Sequence, residues 1–200
     1  ADVADKGMGA AIIMAQTRSL LRTYLLQNGV SPDRALRETN ERMLIDSRSG
    51  YFVTTFLGIL DPANNSLMYC NAGHPPPMLI QRGTEPRIIH LEKTGMVLGV
   101  EKNHRWLKKS VRLEPESWLV MYSDGIVDAE NPQKDLYGVG RLKDMLRAQA
   151  GNSAAGLCEA IISDIDDFQG EAQQSDDITL LVMANRKGSR GSRWISVGSV

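Results

Sequence analysis

From residue 51 to residue 122 the chain reads as one strand after another, with no helical periodicity between them. Tyr51 to Leu60 is rich in aromatic and β-branched residues and apolar on both alternating faces, the pattern of an interior strand. Asp61-Pro62-Ala63-Asn64-Asn65 has the chemistry of a turn, and Ser66 to Asn71 returns as the second arm of a hairpin. Met78 to Gln81 and Arg87 to Leu91 read as shorter strands around Gly83. Leu107 to Leu113 alternates, and Trp118 to Tyr122 is a short apolar strand. Strands in one sequential run exclude repeated βαβ units and predict antiparallel pairing, hence an α+β fold.

Helical patterns bracket this run. Ala10, Ile13, Met14, Thr17, Leu21, Tyr24 and Leu25 form one stripe. Ala10 to Ala15 is apolar all round, which predicts a helix deeply buried at its start and ending near Gly29. Ser31-Pro32-Asp33 opens a second helix, which runs to about Asp46. After the strands, Val139, Leu142, Met145, Leu146 and Ala150 mark a third helix. Ala154, Leu157, Cys158, Ile161, Ile162, Ile165 and Phe168 mark a fourth, capped by Asn152 or Ser153. Ile178 to Met183 is a last strand. From Asn185 the Gly, Ser and Arg content predicts a flexible tail, so the expected division is a domain over residues 1–184 and a tail over 185–200.

The chain has 200 residues, 42% of them hydrophobic, enough for a core of ordinary size. A net charge of -1 carries no signature of nucleic-acid binding. No apolar run is long enough to span a membrane. Cys70 and Cys158 both sit in apolar stretches and read as buried free thiols, consistent with a reducing cytoplasm.

Acidic residues stand at strand ends and turns in three places: Asp2 with Asp5, Asp124, and Asp176-Asp177. Short carboxylates fixed at strand ends suit hard divalent cations, and a two-metal site needs several of them from separate segments. Asp is also common in turns for local hydrogen bonding, so spacing alone does not single these out. Asp33, Asp61, Asp128, Asp135, Asp164 and Asp167 read as structural or solvent-facing.

Five motifs in order raise the three sites above that background. Asp2-Val3-Ala4-Asp5-Lys6-Gly7, followed by Ala10-Ala11, resembles a D-V-S-G-K-G-x-x-A-A segment. Asn71-Ala72-Gly73-His74-Pro75-Pro76 resembles N-A-G-H-x-P. Tyr122-Ser123-Asp124-Gly125-Ile126-Val127-Asp128-Ala129 resembles Y-T-D-G-V-x-E-A. Tyr137-Gly138 with Arg141-Leu142 matches F-G-x-x-R-L, and Asp176-Asp177-Ile178-Thr179-Leu180 resembles D-D-x-T-L. Together they are similar to the bacterial PP2C-like (PPM superfamily) serine/threonine phosphatases of the sporulation and stress-response, SpoIIE/RsbU-like, branch.

The resemblance implies an α/β/β/α sandwich of antiparallel sheets. It implies hydrolysis of phosphoserine or phosphothreonine by a metal-activated water with two Mn²⁺ or Mg²⁺ ions. The catalytic metal ligands would be Asp2, the Val3 carbonyl, Asp124 and Asp176, convergent at one edge of the sheets. Lys6 is a candidate for the substrate phosphate. His74 reads as a loop residue that orients the turn before Pro75, and His90 and His104 as surface or packing residues. The implied partners are a phosphorylated regulator of the anti-sigma-factor antagonist type and an upstream sensor or receiver domain. The family's G-G-D-x-x-D segment has no counterpart here. An N-terminally incomplete sheet, weak metal binding and turnover, and a homodimer along the open sheet edge are therefore expected. The alternative is a phosphatase-like binding module without catalysis.

Overall fold

The computed structural model describes residues 1–27, 31–46, 50–83, 86–149, 152–188 and 191–197. The chain divides into two compact units, Ala1–Pro76 with Glu92–Arg112, and Pro77–Leu91 with Leu113–Val200.

The first unit carries β1 (Asp2–Val3), α1 (Met8–Gln27), α2 (Pro32–Asp46), β2 (Val53–Asp61), β3 (Ser66–Ala72) and β6 (Lys109–Arg112). Its sheet has the order β1-β2-β3-β6, all antiparallel. The interior position of β2 is the one its two-sided apolar pattern predicts. Asp61 closes the hairpin by accepting from the Ala63 and Asn64 amides at 3.0 and 3.2 Å. Leu21, Leu36, Met43, Val53, Cys70, Ala72, Leu98 and Trp106 form the core.

The α1 stripe is placed as the periodicity predicts, with Ala10, Thr17 and Leu21 buried. Its start is not deeply buried: Met8, Ala11, Ile12 and Ala15 are exposed. A helix laid against a sheet buries only one stripe, and all-round apolar composition does not supply a second covering layer. Gly29, the expected end of this helix, lies outside the described residues.

The second unit carries β4 (Met78–Gln81), β5 (Arg87–His90), β7 (Trp118–Tyr122), α3 (Asp124–Val127), α4 (Gly138–Ala148), α5 (Ala154–Gln169), β8 (Leu180–Gly188) and β9 (Gly191–Val197). Its antiparallel sheet has the order β5-β4-β7-β8-β9. Met78, Ile80, Trp118 and Val120 meet Leu142, Leu146, Leu157, Ile161 and Ile165 in one core. Ser153 caps α5, its hydroxyl accepting from the Gly156 amide at 3.1 Å.

The segment from Asn185 departs from the flexible tail its composition predicts. β8 continues to Gly188, and β9 pairs with it from Val182↔Val197 to Gly188↔Gly191. Gly and Ser content masked the β-prone run Trp194-Ile195-Ser196-Val197, whose backbone completes a ladder on β8. Residues 189, 190 and 198–200 of that segment lie outside the described residues.

Candidate metal centre

In the second unit β7 delivers its last residue, Tyr122, to a sharp turn into the single-turn helix α3. Asp124 is the first residue of that helix and is half-buried. The Ser123 hydroxyl donates to the Asp177 carbonyl at 3.0 Å and accepts from the Thr179 amide at 2.9 Å. The Ser123 amide also donates to the Thr179 carbonyl at 3.0 Å. One serine thus latches the Asp124 turn to the Asp176-Asp177 turn. Gly125 makes the latch possible, because a Cβ there would stand 2.4 Å from the Asp177 carbonyl oxygen. The structure therefore brings the Asp124 turn against the Asp176-Asp177 turn, with Asp176 half-buried and Asp177 exposed.

Asp128 joins this corner one helical turn after Asp124. Local desolvation, then the like charges of Asp124 and Asp176, hold its carboxyl above the usual carboxylate range. Asp128 is exposed, as reading it as structural or solvent-facing expects, yet its carboxyl feels the charges of this corner. The signal was present, since Asp128 stands where the resembled motif carries its Glu.

In the first unit Asp2 and Val3 are half-buried on the two-residue strand β1, which pairs Asp2↔Thr54 and Val3↔Val53. The Ala4 amide donates to the Phe52 carbonyl at 2.9 Å. The Thr54 hydroxyl lies 3.4 Å from the Asp2 carbonyl oxygen and 2.9 Å from His74 Nδ1. Lys6 is exposed in the turn between β1 and α1. In that turn Asp5 takes φ +86, at the position where the resembled motif carries Gly, and its carboxylate accepts from the Lys6 amide at 2.8 Å. Asp is among the few residues with a side chain that tolerate this region.

His74 lies in the loop between β3 and β4, and it is buried there. Burial first, with positive charge including Lys93 behind it, pushes its pKa down to about 4, so the ring is neutral at pH 7. The Tyr137-Gly138…Arg141 motif is structural. The Tyr137 hydroxyl donates to Asp164 Oδ2 at 2.6 Å, and Arg141 forks onto the same carboxylate at 2.9 and 2.8 Å, tying α4 to α5. Cys70 and Cys158 are buried free thiols, and burial pushes Cys70 up to about 12.

The chain matches the model of the family described as Stage II sporulation protein E (SpoIIE) over residues 1–186. It belongs to the SpoIIE family. It is 28% identical over 210 residues to Protein IcfG of Synechocystis sp., covering 91% of this chain and 32% of that protein. It is 24% identical to phosphoserine phosphatase RsbP of Bacillus subtilis, covering 88% of this chain and 42% of that protein. The chain thus spans less than half the length of these two relatives.

Among solved structures, the SiaA-PP2C domain of Pseudomonas aeruginosa matches with a TM-score of 0.77 at 23% identity, covering 90% of this chain and 71% of that one. The RsbU and RsbW domains of a Mycobacterium tuberculosis protein match with a TM-score of 0.72 at 26% identity, covering 94% and 52%. The catalytic domain of serine threonine protein phosphatase PstP, solved with two manganese ions, matches at 0.62 and 12%, covering 91% and 84%. The SpoIIE-family chain has the PP2C-like α+β fold with two antiparallel sheets.

The donor chemistry fits a hard divalent cation: Asp124, Asp176 and Asp128 offer oxygen, and neither thiol stands among them. Among the described residues no three His, Cys, Asp or Glu side chains gather closely enough to enclose an ion by themselves. Mg²⁺ requires no such cage, because it is commonly held by one or two carboxylates and several waters. Among the described residues no helix is long and apolar enough to cross a membrane.

Proposed function

We propose that this chain is the catalytic domain of a Mn²⁺- or Mg²⁺-dependent protein phosphatase. It hydrolyses phosphoserine or phosphothreonine on a regulatory protein of the anti-sigma-factor antagonist type. The observation that carries the reading is the latched corner in which Ser123 and Gly125 hold the Asp124 turn against the Asp176-Asp177 turn. Membership of the SpoIIE family and the phosphoserine phosphatase RsbP among its relatives support the substrate class.

Asp2, the Val3 carbonyl, Asp124 and Asp176 are the proposed metal-binding groups. When bound, the cations supply Lewis acidity toward water and the phosphoryl oxygens. The chain's own part is positional. Ser123 fixes the spacing of two acidic turns, and β1 presents Asp2 through its pairing with Thr54. Lys6 offers a point charge to the substrate phosphate. His74 is neutral at pH 7 and is given no proton to transfer. An upstream sensor or receiver domain in the same protein is the proposed source of control.

The test is phosphate release from a phosphoserine-bearing protein with and without Mn²⁺, for the wild type and Asp124→Asn. The variant keeps the shape of the side chain and loses the charge. The reading predicts loss of turnover on the order of 10²-fold or more with the fold retained. Equal turnover by the two proteins would refute it.

A further inference from the structure

We propose that Thr54 and His74 are positioning residues for Asp2, a role that rests on the reading of Asp2 as a metal-binding residue. Asp2 lies on a strand of two residues, so the ladder itself gives it little rigidity. Behind its backbone stands the hydroxyl of Thr54, 3.4 Å from the Asp2 carbonyl oxygen and 2.9 Å from His74 Nδ1.

A threonine hydroxyl has one proton to give. If His74 carries its proton on Nδ1, the ring donates to Thr54 and the hydroxyl proton is free to turn to the Asp2 carbonyl. If Nδ1 is bare, it takes that proton and the Asp2 carbonyl loses it. The partner of Thr54 therefore decides whether this hydroxyl adds its bond to those that the ladder and the Ala4 amide already give the strand under Asp2.

The turn that carries His74 is built to hold it there. Gly73 takes φ +79, and a Cβ on it would lie 2.4 Å from Val97 Cγ1. The Asn71 amide donates to the Thr94 hydroxyl at 2.9 Å, and the Thr94 amide returns a bond to the Asn71 carbonyl at 2.8 Å. His74 itself is only 7% exposed. The N-A-G-H segment thus ends in a buried ring aimed at the residue paired with Asp2.

Groups behind a metal ligand tune affinity by fixing where the ligand stands, typically by 10- to 100-fold. A residue that only fills space changes stability and leaves metal affinity alone. Calorimetric Mn²⁺ titration beside thermal unfolding separates the two. Thr54→Val should weaken Mn²⁺ binding about tenfold, and His74→Phe, which keeps the hydroxyl but removes the ring bond that orients it, should weaken it by a smaller factor. The double variant should be no weaker than Thr54→Val alone, since both act through one hydroxyl. Thr54→Ser and His74→Asn, which keep the hydroxyl and a donor near Nδ1, should bind Mn²⁺ as the wild type does. Wild-type Mn²⁺ affinity in both Thr54→Val and His74→Phe, with only their unfolding temperature lowered, would overturn the proposal. Asp2→Asn is the separate control: unchanged Mn²⁺ binding there would instead overturn the reading of Asp2 itself.

Discussion

The two acidic regions are held by different physics. In the second unit the turns bearing Asp124 and Asp176 are locked by close backbone approach, with a serine whose hydroxyl both donates and accepts, and a glycine with no room for a methyl. In the first unit Asp2 stands on two residues of strand, backed by a hydroxyl shared with a buried histidine. The first arrangement is specified by size and the second by hydrogen bonding. A cation ligand can be placed by either, but the two should fail under different perturbations.

The hardest test of that contrast is Gly125→Ala. The added methyl meets backbone, not a yielding side chain, so the Asp176 turn must move. Loss of about 3 kcal/mol is expected from overpacking. Turnover should collapse with it, even in molecules that remain folded. Near-normal turnover and melting would show that the latch is not tight.

Acid should act on the other region. His74 titrates near 4 when folded and at the ordinary 6.5 when unfolded, so between those values the unfolded chain binds the extra proton. Stability is full above pH 6.5 and falls as pH drops toward 4, by at most about 3 kcal/mol. Denaturant melts across that window should show the slope in the wild type and a shallower one in His74→Asn. Parallel curves would mean that His74 is not held neutral.

Ser123→Ala should cost less, about 1–2 kcal/mol, because it strips one partner each from the Asp177 carbonyl and the Thr179 amide without forcing the turns apart. If Ser123→Ala proved more damaging than Gly125→Ala, polar pairing rather than size would rule this corner too.

Much of the fold was legible because its signals are local. The Asp61 to Asn65 turn, the two-sided apolar run of β2 and the Ser153 cap each carry their own chemistry within a few residues. The acidic turns were legible through motif resemblance. Their physical linkage was not, since Ser123 and Thr179 are far apart in the chain and nothing in either segment announces the other. The burial of His74 was hidden for the same reason: its partner Thr54 belongs to a different strand. The exposed start of α1 and the β9 strand were misjudged because composition reports what a segment prefers, not what lies against it.

Anomalous diffraction at the manganese edge from Mn²⁺-soaked crystals puts the proposed role of Asp2, Asp124 and Asp176 to the sharpest test. If they bind the metal, manganese peaks stand at coordination distance, about 2.0–2.3 Å, from carboxylate oxygens of all three aspartates. Manganese held elsewhere, with these carboxylates turned away from it, would refute that role.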